Sequence, residues 1–477
     1  MIERASVPRT VASAGLAAAL ALGGCMSFVP AYERPAAPVA DAYAPELTPD
    51  GARGVPLAGA AADIEWQRYF VDARLSRLIE IALQNNRDLR VAILNIEQAR
   101  AAYQVKRADE LPSLGLGAVA QRQPGSTGQL VNTYAVGAQV TGYELDFFGR
   151  VRALSQAALS QYLATEEARK TVQIAVIAAV ANTYVSLLAD EELLGVTLDT
   201  LATREDSFRL TKLKFDNGAS SELDFRQSEQ LLEGARAAFA QMQRQRLLDQ
   251  NALVLLLGQA LPADLPPALP MAQQQGVGEL PAGLPSDLLV RRPDVRAAEA
   301  QLLAANASIG AARAAFFPRI ALTANAGTAS TELSGLFRSG SFALTGTAAL
   351  LQPIFDAGRN QANFDVAKVN KDIAIAQYEK AIQTAFREVS DSLAGRATLD
   401  EQLRAQTAQT NAAQVAYQLA DLRYRAGAAN YLEVLDAQRS LFIAKLATVQ
   451  VQAQQMQNAV TLYKVLGGGW KDGAAAN

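Results

Sequence analysis

The sequence predicts an α+β membrane protein built as two tandem repeats, each joining long helices to a two-stranded β-hairpin. Three observations carry that expectation. The stretch "LKFDNGASSELDF" (213–225) returns as "LRYRAGAANYLEV" (422–434), with Gly218 and Gly427 standing 209 positions apart. The same offset joins Gly149 to Gly358, Arg150 to Arg359 and Gly258 to Gly467, while an offset of 206 joins Arg90 to Arg296 and Pro112 to Pro318. So long a period points to two similar halves related by pseudo-symmetry. No proline lies between Pro124 and Pro262, and none follows Pro353. Proline costs about 3 kcal/mol inside a helix, so these gaps are where long helices are permitted. After Pro112 and Pro318 the apolar period changes from helical to two, which marks strands.

Taken in chain order, residues 1–24 read as a secretory signal: Arg4 and Arg9 form a basic start, and Val11 to Gly24 is apolar and small. "LGGC", Leu22 to Cys25, resembles the lipobox of bacterial lipoproteins, whose cysteine takes a diacylglycerol and becomes an acylated N-terminus. Met26 stands where an aspartate would resemble an inner-membrane retention signal, so the outer membrane is the expected destination. Residues 25–62 are rich in Pro, Ala and Gly and read as an extended tether. Beyond the signal no uninterrupted apolar run is long enough for a transmembrane helix, so if the body crosses a membrane it is expected to do so as strands.

Composition excludes more than it assigns. A formal net charge of -3 offers no basic footprint for nucleic acid, and the chain has no histidine, the commonest general base. One cysteine forms no internal disulfide, and the five methionines suggest no soft-metal relay. No cofactor is expected apart from the lipid on Cys25.

The first repeat is expected over 63–284 and the second over 285–470, with a disordered tail at 471–477. Leu75, Leu78, Ile79, Ala82 and Leu83 follow the spacing of an amphipathic helix, with Asp72 as its N-cap. The pattern breaks at "NNRD" and "RRPD", where Asp88 and Asp294 are placed to cap the helices leading to Pro112 and Pro318. Hairpins follow at about 113–147 and 319–355. Leu114, Leu116, Ala118 and Ala120 alternate with small or polar residues, as do Tyr134, Val136, Ala138 and Val140, with a bulge expected before Tyr143. Strands of this kind resemble outer-membrane barrel strands.

Four strands cannot close a barrel, and each unpaired backbone group in lipid costs several kcal/mol, so the strands must be shared among chains. Three chains would give twelve strands; two would leave almost no lumen. From Gly149 to Phe215 and from Gly358 to Tyr424 the chain is Ala-rich and free of proline. At 1.5 Å per residue such a helix is roughly 100 Å long. Return helices are expected from Ser221 to Leu257 and from Asn430 to Leu466. Gly218 and Gly427 suit the positive-φ position that ends a helix, and Ser221 with Asp224, like Asn430 with Glu433, forms a capping-box pattern. These two stretches are therefore helical-hairpin tips.

Glu144 and Asp146 fall on one face of the second strand by spacing, and are expected to line the lumen where barrel meets tunnel rather than to act as a catalytic carboxylate pair. The run Gly467 to Gly469 lacks the Lys and Ser/Thr of a phosphate-binding loop and is expected to end the last helix.

The stretches "YERPAAPV", "DLRVAILNIEQARAAY", "YELDFFGRVR", "RRPDVRAAEAQLLAANASIGAARAAFFPRI", "QPIFDAGR", "RYRAGAANYLEVLDAQRSLF" and "LYKVLGGGW" occur in this order along nearly the whole mature chain. Together they resemble the outer-membrane factor lipoproteins of the OprM and NodT type, related to TolC. The resemblance implies a homotrimer with a shared twelve-stranded barrel, a periplasmic helical tunnel and an equatorial belt that includes about Pro262 to Pro285. It also implies an adaptor of the membrane-fusion class, contacting the tips at Gly218, Ser221, Gly427 and Asn430. An inner-membrane transporter of the resistance-nodulation-division (RND) class would complete the pump. The family's gate aspartate matches Asp421, with Tyr417 one turn earlier and Arg423 and Arg425 as candidate salt-link partners. A passive drug-efflux duct is the reading this supports, against a duct for protein secretion or a pore-free coiled-coil lipoprotein; no enzymatic activity is expected.

Overall fold

The computed structural model describes residues 27–44, 61–124, 126, 128–273, 280 and 285–471. Cys25, the signal at 1–24, much of the proline-rich stretch and the tail from 472 lie outside the described residues. The chain separates into two compact units. One holds the N-terminal residues up to Ala36 with Leu94–Glu166 and Ala297–Lys380; the other holds Ala37–Ile93, Glu167–Arg296 and the residues from Ala381 on.

In the first unit a four-stranded antiparallel sheet has the order β1-β2-β3-β4, with β1 Leu114–Pro124, β2 Leu130–Leu145, β3 Arg319–Ser330 and β4 Phe342–Leu351. Register sorts its side chains into two faces. Leu116, Ala138, Ala326 and Leu344 stand in one cross-strand row, and Leu145, Ile320 and Leu350 in another on the same face. The opposite face carries Gln139, Thr323, Asn325, Thr345 and Thr347 among glycines and alanines. A bulge between Val140 and Tyr143, with Gly142 at φ 66°, inserts the residue that keeps Tyr143 and Leu145 on the apolar face. β4 stops at Leu351, short of the Phe355 expected, because Pro353 has no N–H to donate to a ladder.

The helices follow the repeat. α1 (Ala73–Asn85) is capped by Asp72, whose Oδ1 accepts from the amides of Arg74 and Leu75 at 2.7 and 3.3 Å. α2 (Arg87–Ala108) ends before Pro112, since Glu110 and Leu111 tighten to three-residue spacing onto Arg107 and Ala108. α3 (Arg150–Asp216) and α4 (Glu222–Leu257) form the first long hairpin. α5 (Pro285–Arg291) and α6 (Pro293–Ala314) answer α1 and α2, and α7 (Arg359–Arg425) with α8 (Tyr431–Val465) forms the second hairpin. α3 and α7 are each 67 residues long.

The helix caps expected at Asp88 and Asp294 are corrected. The Asn86 side chain accepts from Leu89 N at 3.0 Å and donates to Leu256 O at 2.8 Å, so it caps α2 and ties it to α4, leaving Asp88 in the first turn. At the matching place in the second copy Arg292 donates to Val465 O at 3.1 Å and pairs with Asp294 and Glu388 at 2.6 and 2.8 Å. Pro293 starts α6, and Asp294 serves the buried guanidinium. Asn86 and Arg292 are 206 apart and their carbonyl partners 209 apart, so the repeat keeps the joint while changing its chemistry.

Candidate periplasmic gate and hairpin tips

Both long hairpins turn the same way, for local reasons. α3 ends in a Schellman motif: Gly218 N donates to Phe215 O at 2.9 Å and Ala219 N to Lys214 O at 2.8 Å, with Gly218 at φ 71°. α7 repeats it, Gly427 N to Tyr424 O at 3.0 Å and Ala428 N to Arg423 O at 2.9 Å, with Gly427 at φ 70°. Ser221 then caps α4 by accepting from Asp224 N, and Asn430 caps α8 by accepting from Glu433 N, each at 3.1 Å. The carboxylates three residues on turn elsewhere: Asp224 accepts from Ser220 Oγ at 3.3 Å, and Glu433 pairs with Arg423 at 3.2 Å.

The gate residues read from the sequence divide between these contacts. Asp421 pairs with Arg425 at 2.8 Å, one turn on, and its side chain is 26% exposed against 75% for the arginine. Arg423 does not reach Asp421; it crosses to Glu433 on α8. Tyr417 is half-buried, packed beside Tyr431, Val434 and Leu435, and its hydroxyl accepts from Gln438 Nε2 at 3.4 Å. The same amide nitrogen reaches Ser207 Oγ on α3 at 3.4 Å, so Gln438 bridges the two hairpins. A second bridge is Lys214, whose Nζ donates to Tyr424 OH at 2.8 Å and lies 4.5 Å from the centre of its ring. Behind Tyr417 a cleft of about 210 Å³ is lined by Asp199, Thr203, Arg204, Gln438 and Phe442 among others. Arg204, 6% exposed, donates to Leu231 O at 2.9 Å and stacks on Phe442.

Sequence reasoning missed these bridges. One signal was present: Lys214 and Arg423 occupy matching positions before the paired aromatics Phe215 and Tyr424, so a basic residue recurs at both tips. Also missed was Asp190 on α3, 6% exposed. Burial pushes its carboxyl up to about 7, the hydrogen bond and charge of Asp249 on α4 adding to the rise against Arg246.

In the other unit Glu144 accepts two bonds from Arg150, at 2.8 and 2.7 Å, and two from Arg319, Nε at 3.1 Å and Nη2 at 2.7 Å. It lies on the polar face of the sheet and ties β2, β3 and the start of α3 together. Asp146 does not share that strand face, because β2 ends at Leu145; its carboxylate accepts from Arg152 N at 2.9 Å in the first turn of α3.

Comparison with known proteins matches this architecture. The signature of the family described as outer membrane efflux protein covers residues 78–259 and 284–468. The chain is 47% identical over 460 residues to the solvent efflux pump outer membrane protein SrpC of Pseudomonas putida, covering 95% of this chain and 97% of that one. It is 45% identical to the outer membrane protein OprJ of Pseudomonas aeruginosa over 95% of both chains. Among solved structures, the open state of the MtrE outer membrane channel of Neisseria gonorrhoeae superposes with a TM-score of 0.84 at 40% identity, covering 94% of this chain and 99% of that one. The OprN outer-membrane channel superposes with a TM-score of 0.84 at 31% identity, over 92% and 99%. A four-stranded sheet, two long helical hairpins and this likeness along nearly the whole chain make it a member of the outer membrane efflux protein family, an α+β TolC-like channel protein of the outer membrane.

Proposed function

We propose that three copies of this chain form a passive duct that carries small amphiphilic molecules out of the cell, as the outer-membrane part of a tripartite pump. The observation that carries the reading is the sheet: among the described residues β1 and β4 each pair on one side only, and one of its faces is apolar. Such a sheet is tolerated in lipid only when its edges are closed, and three copies close at twelve strands. Names of the relatives, among them solvent, toluene and antibiotic efflux proteins, support apolar and amphiphilic cargo. The hairpin tips at Gly218, Ser221, Gly427 and Asn430 face a periplasmic adaptor, and an inner-membrane RND transporter supplies the energy. Three Asp421 carboxylates around the axis bind cations and narrow the entrance, with Tyr417 as bulk and Arg423 and Arg425 as the salt links of the resting state. Glu144 lines the lumen near the barrel's rim, and the lipid on Cys25 adds an anchor.

The full chain purified from outer membranes tests this reading. A trimer resistant to mild denaturant that inserts into planar bilayers with stepwise, cation-preferring conductance is the expected outcome. A monomer without conductance would overturn it.

A further inference from the structure

The cleft behind Tyr417 is built by three helices of one compact unit: Arg204 comes from α3, Tyr417 from α7, and Gln438, Phe442 and Lys445 from α8. The α8 residues are spaced by four and three, so they share one face of that helix. The charges around the cleft do not balance. Arg204 is 6% exposed, and a guanidinium stays charged when buried. Its Nη1 donates to Leu231 O at 2.9 Å and the group lies 5.1 Å from the centre of the Phe442 ring, yet among the described residues no carboxylate pairs with it. Nε is buried without a hydrogen-bond partner. Burial lowers the pKa of Arg204, and no neighbouring charge offsets the fall. Lys445, half-buried, has neither an ion pair nor a hydrogen bond among the described residues. Asp199 also lines the cleft, but it is exposed and pairs with neither cation.

Other polar groups leave the same opening for an anion. The hydroxyls of Thr200 and Thr203 already donate to the carbonyls of Val196 and Asp199, at 2.8 and 2.9 Å. Gln438, 8% exposed, has its Oε1 buried without a partner. Its amide nitrogen meets two hydroxyls, Ser207 Oγ and Tyr417 OH, which donate as readily as they accept, so the amide can turn and offer its nitrogen to a ligand. Tyr417, Leu441 and Phe442 give the cleft an apolar wall. An apolar cavity of about 150 Å³ takes a benzene, so the roughly 210 Å³ here admits one ring with a carboxylate attached.

We propose that this cleft binds a small aromatic carboxylate, which accepts from Arg204 on α3 and Lys445 on α8 and lays its ring among Tyr417, Leu441 and Phe442. A buried cation without a counter-charge is costly, and the carboxylate supplies that charge. The ligand thereby adds a charged link between the two long hairpins beside the one Gln438 makes to Ser207. The repeat does not create a second such site, because the position 209 residues after Arg204 is Ala413. One site per chain follows.

Fluorine NMR of para-fluorobenzoate, titrated with the full-length chain in lipid nanodiscs, tests the proposal. The analogue para-fluorobenzamide lacks the charge, and acetate, as a competitor, lacks the ring. Arg204→Met removes the cation from α3; Lys445→Met removes the one from α8 and serves if the first variant fails to fold. The expected result is saturable binding of one carboxylate per chain, about tenfold weaker in each variant. The amide does not bind, and acetate does not displace the probe at a concentration where benzoate does. Absence of saturable binding would overturn the site, and parent-like affinity in either folded variant would overturn the bridge. Equal binding of the amide would overturn the role of charge. Acetate displacing as well as benzoate would overturn the aromatic assignment.

Discussion

The Lys214–Tyr424 bridge makes a quantitative prediction about opening. Tyr424→Phe keeps the ring that Lys214 Nζ overlies at 4.5 Å and deletes only the hydroxyl that accepts its proton at 2.8 Å. A bond to a charged donor is worth about 1.5–3 kcal/mol, and half-burial of both side chains brings the expected loss nearer 1 kcal/mol. That corresponds to about fivefold in the equilibrium for parting the two hairpins of one chain. If the three chains of a trimer part together, the effects add to about 3 kcal/mol, or roughly 150-fold. Lys214→Met also removes the cation–π contact, a further loss of about 0.5–1 kcal/mol. Open probability of single trimers in a planar bilayer is the assay: both variants open more often, Lys214→Met the more so. An open probability equal to the parent's in an intact Tyr424→Phe trimer would refute the claim that this bridge restrains the entrance.

Asp421→Ala loses an exposed ion pair worth about 1 kcal/mol at most, so the trimer's heat resistance stays while conductance rises and cation preference falls. Unchanged conductance and selectivity would remove Asp421 from the gate. Asp190 has its pKa raised in the folded chain to about 7, so the folded state keeps a proton that the unfolded chain releases near pH 4. Stability therefore falls as pH rises from about 4 to about 7 and levels off above, and Asp190→Asn flattens that slope in the dissociation temperature of the trimer measured against pH. Asn86→Ala removes the cap of α2 and its bond to Leu256 O, for a loss of about 2–3 kcal/mol seen as an earlier denaturant midpoint.

What could be read from the sequence depended on how local the deciding contact is. Gly218 and Gly427 end their helices with bonds confined to the last turn, and Ser221 and Asn430 reach an amide three residues away, so spacing alone identified the tips. The bulge before Tyr143 was visible because strand alternation changes phase there. Asn86 and Arg292 were hidden because each is chosen by a carbonyl from a distant helix, Leu256 or Val465, and spacing favours the nearby aspartates equally well. Tyr417 was placed beside Asp421 by helical period, but its half-buried position beside Tyr431 and Gln438 depends on the neighbouring helix.

The central claim is tested most directly by susceptibility of the host to chemically unrelated amphiphilic drugs, with the gene deleted and with the deletion complemented by the wild-type chain. The account predicts broad sensitisation that the wild-type chain reverses. Unchanged susceptibility, accompanied by loss of specific proteins from the culture medium that the wild-type chain restores, would contradict it and assign the duct to protein secretion.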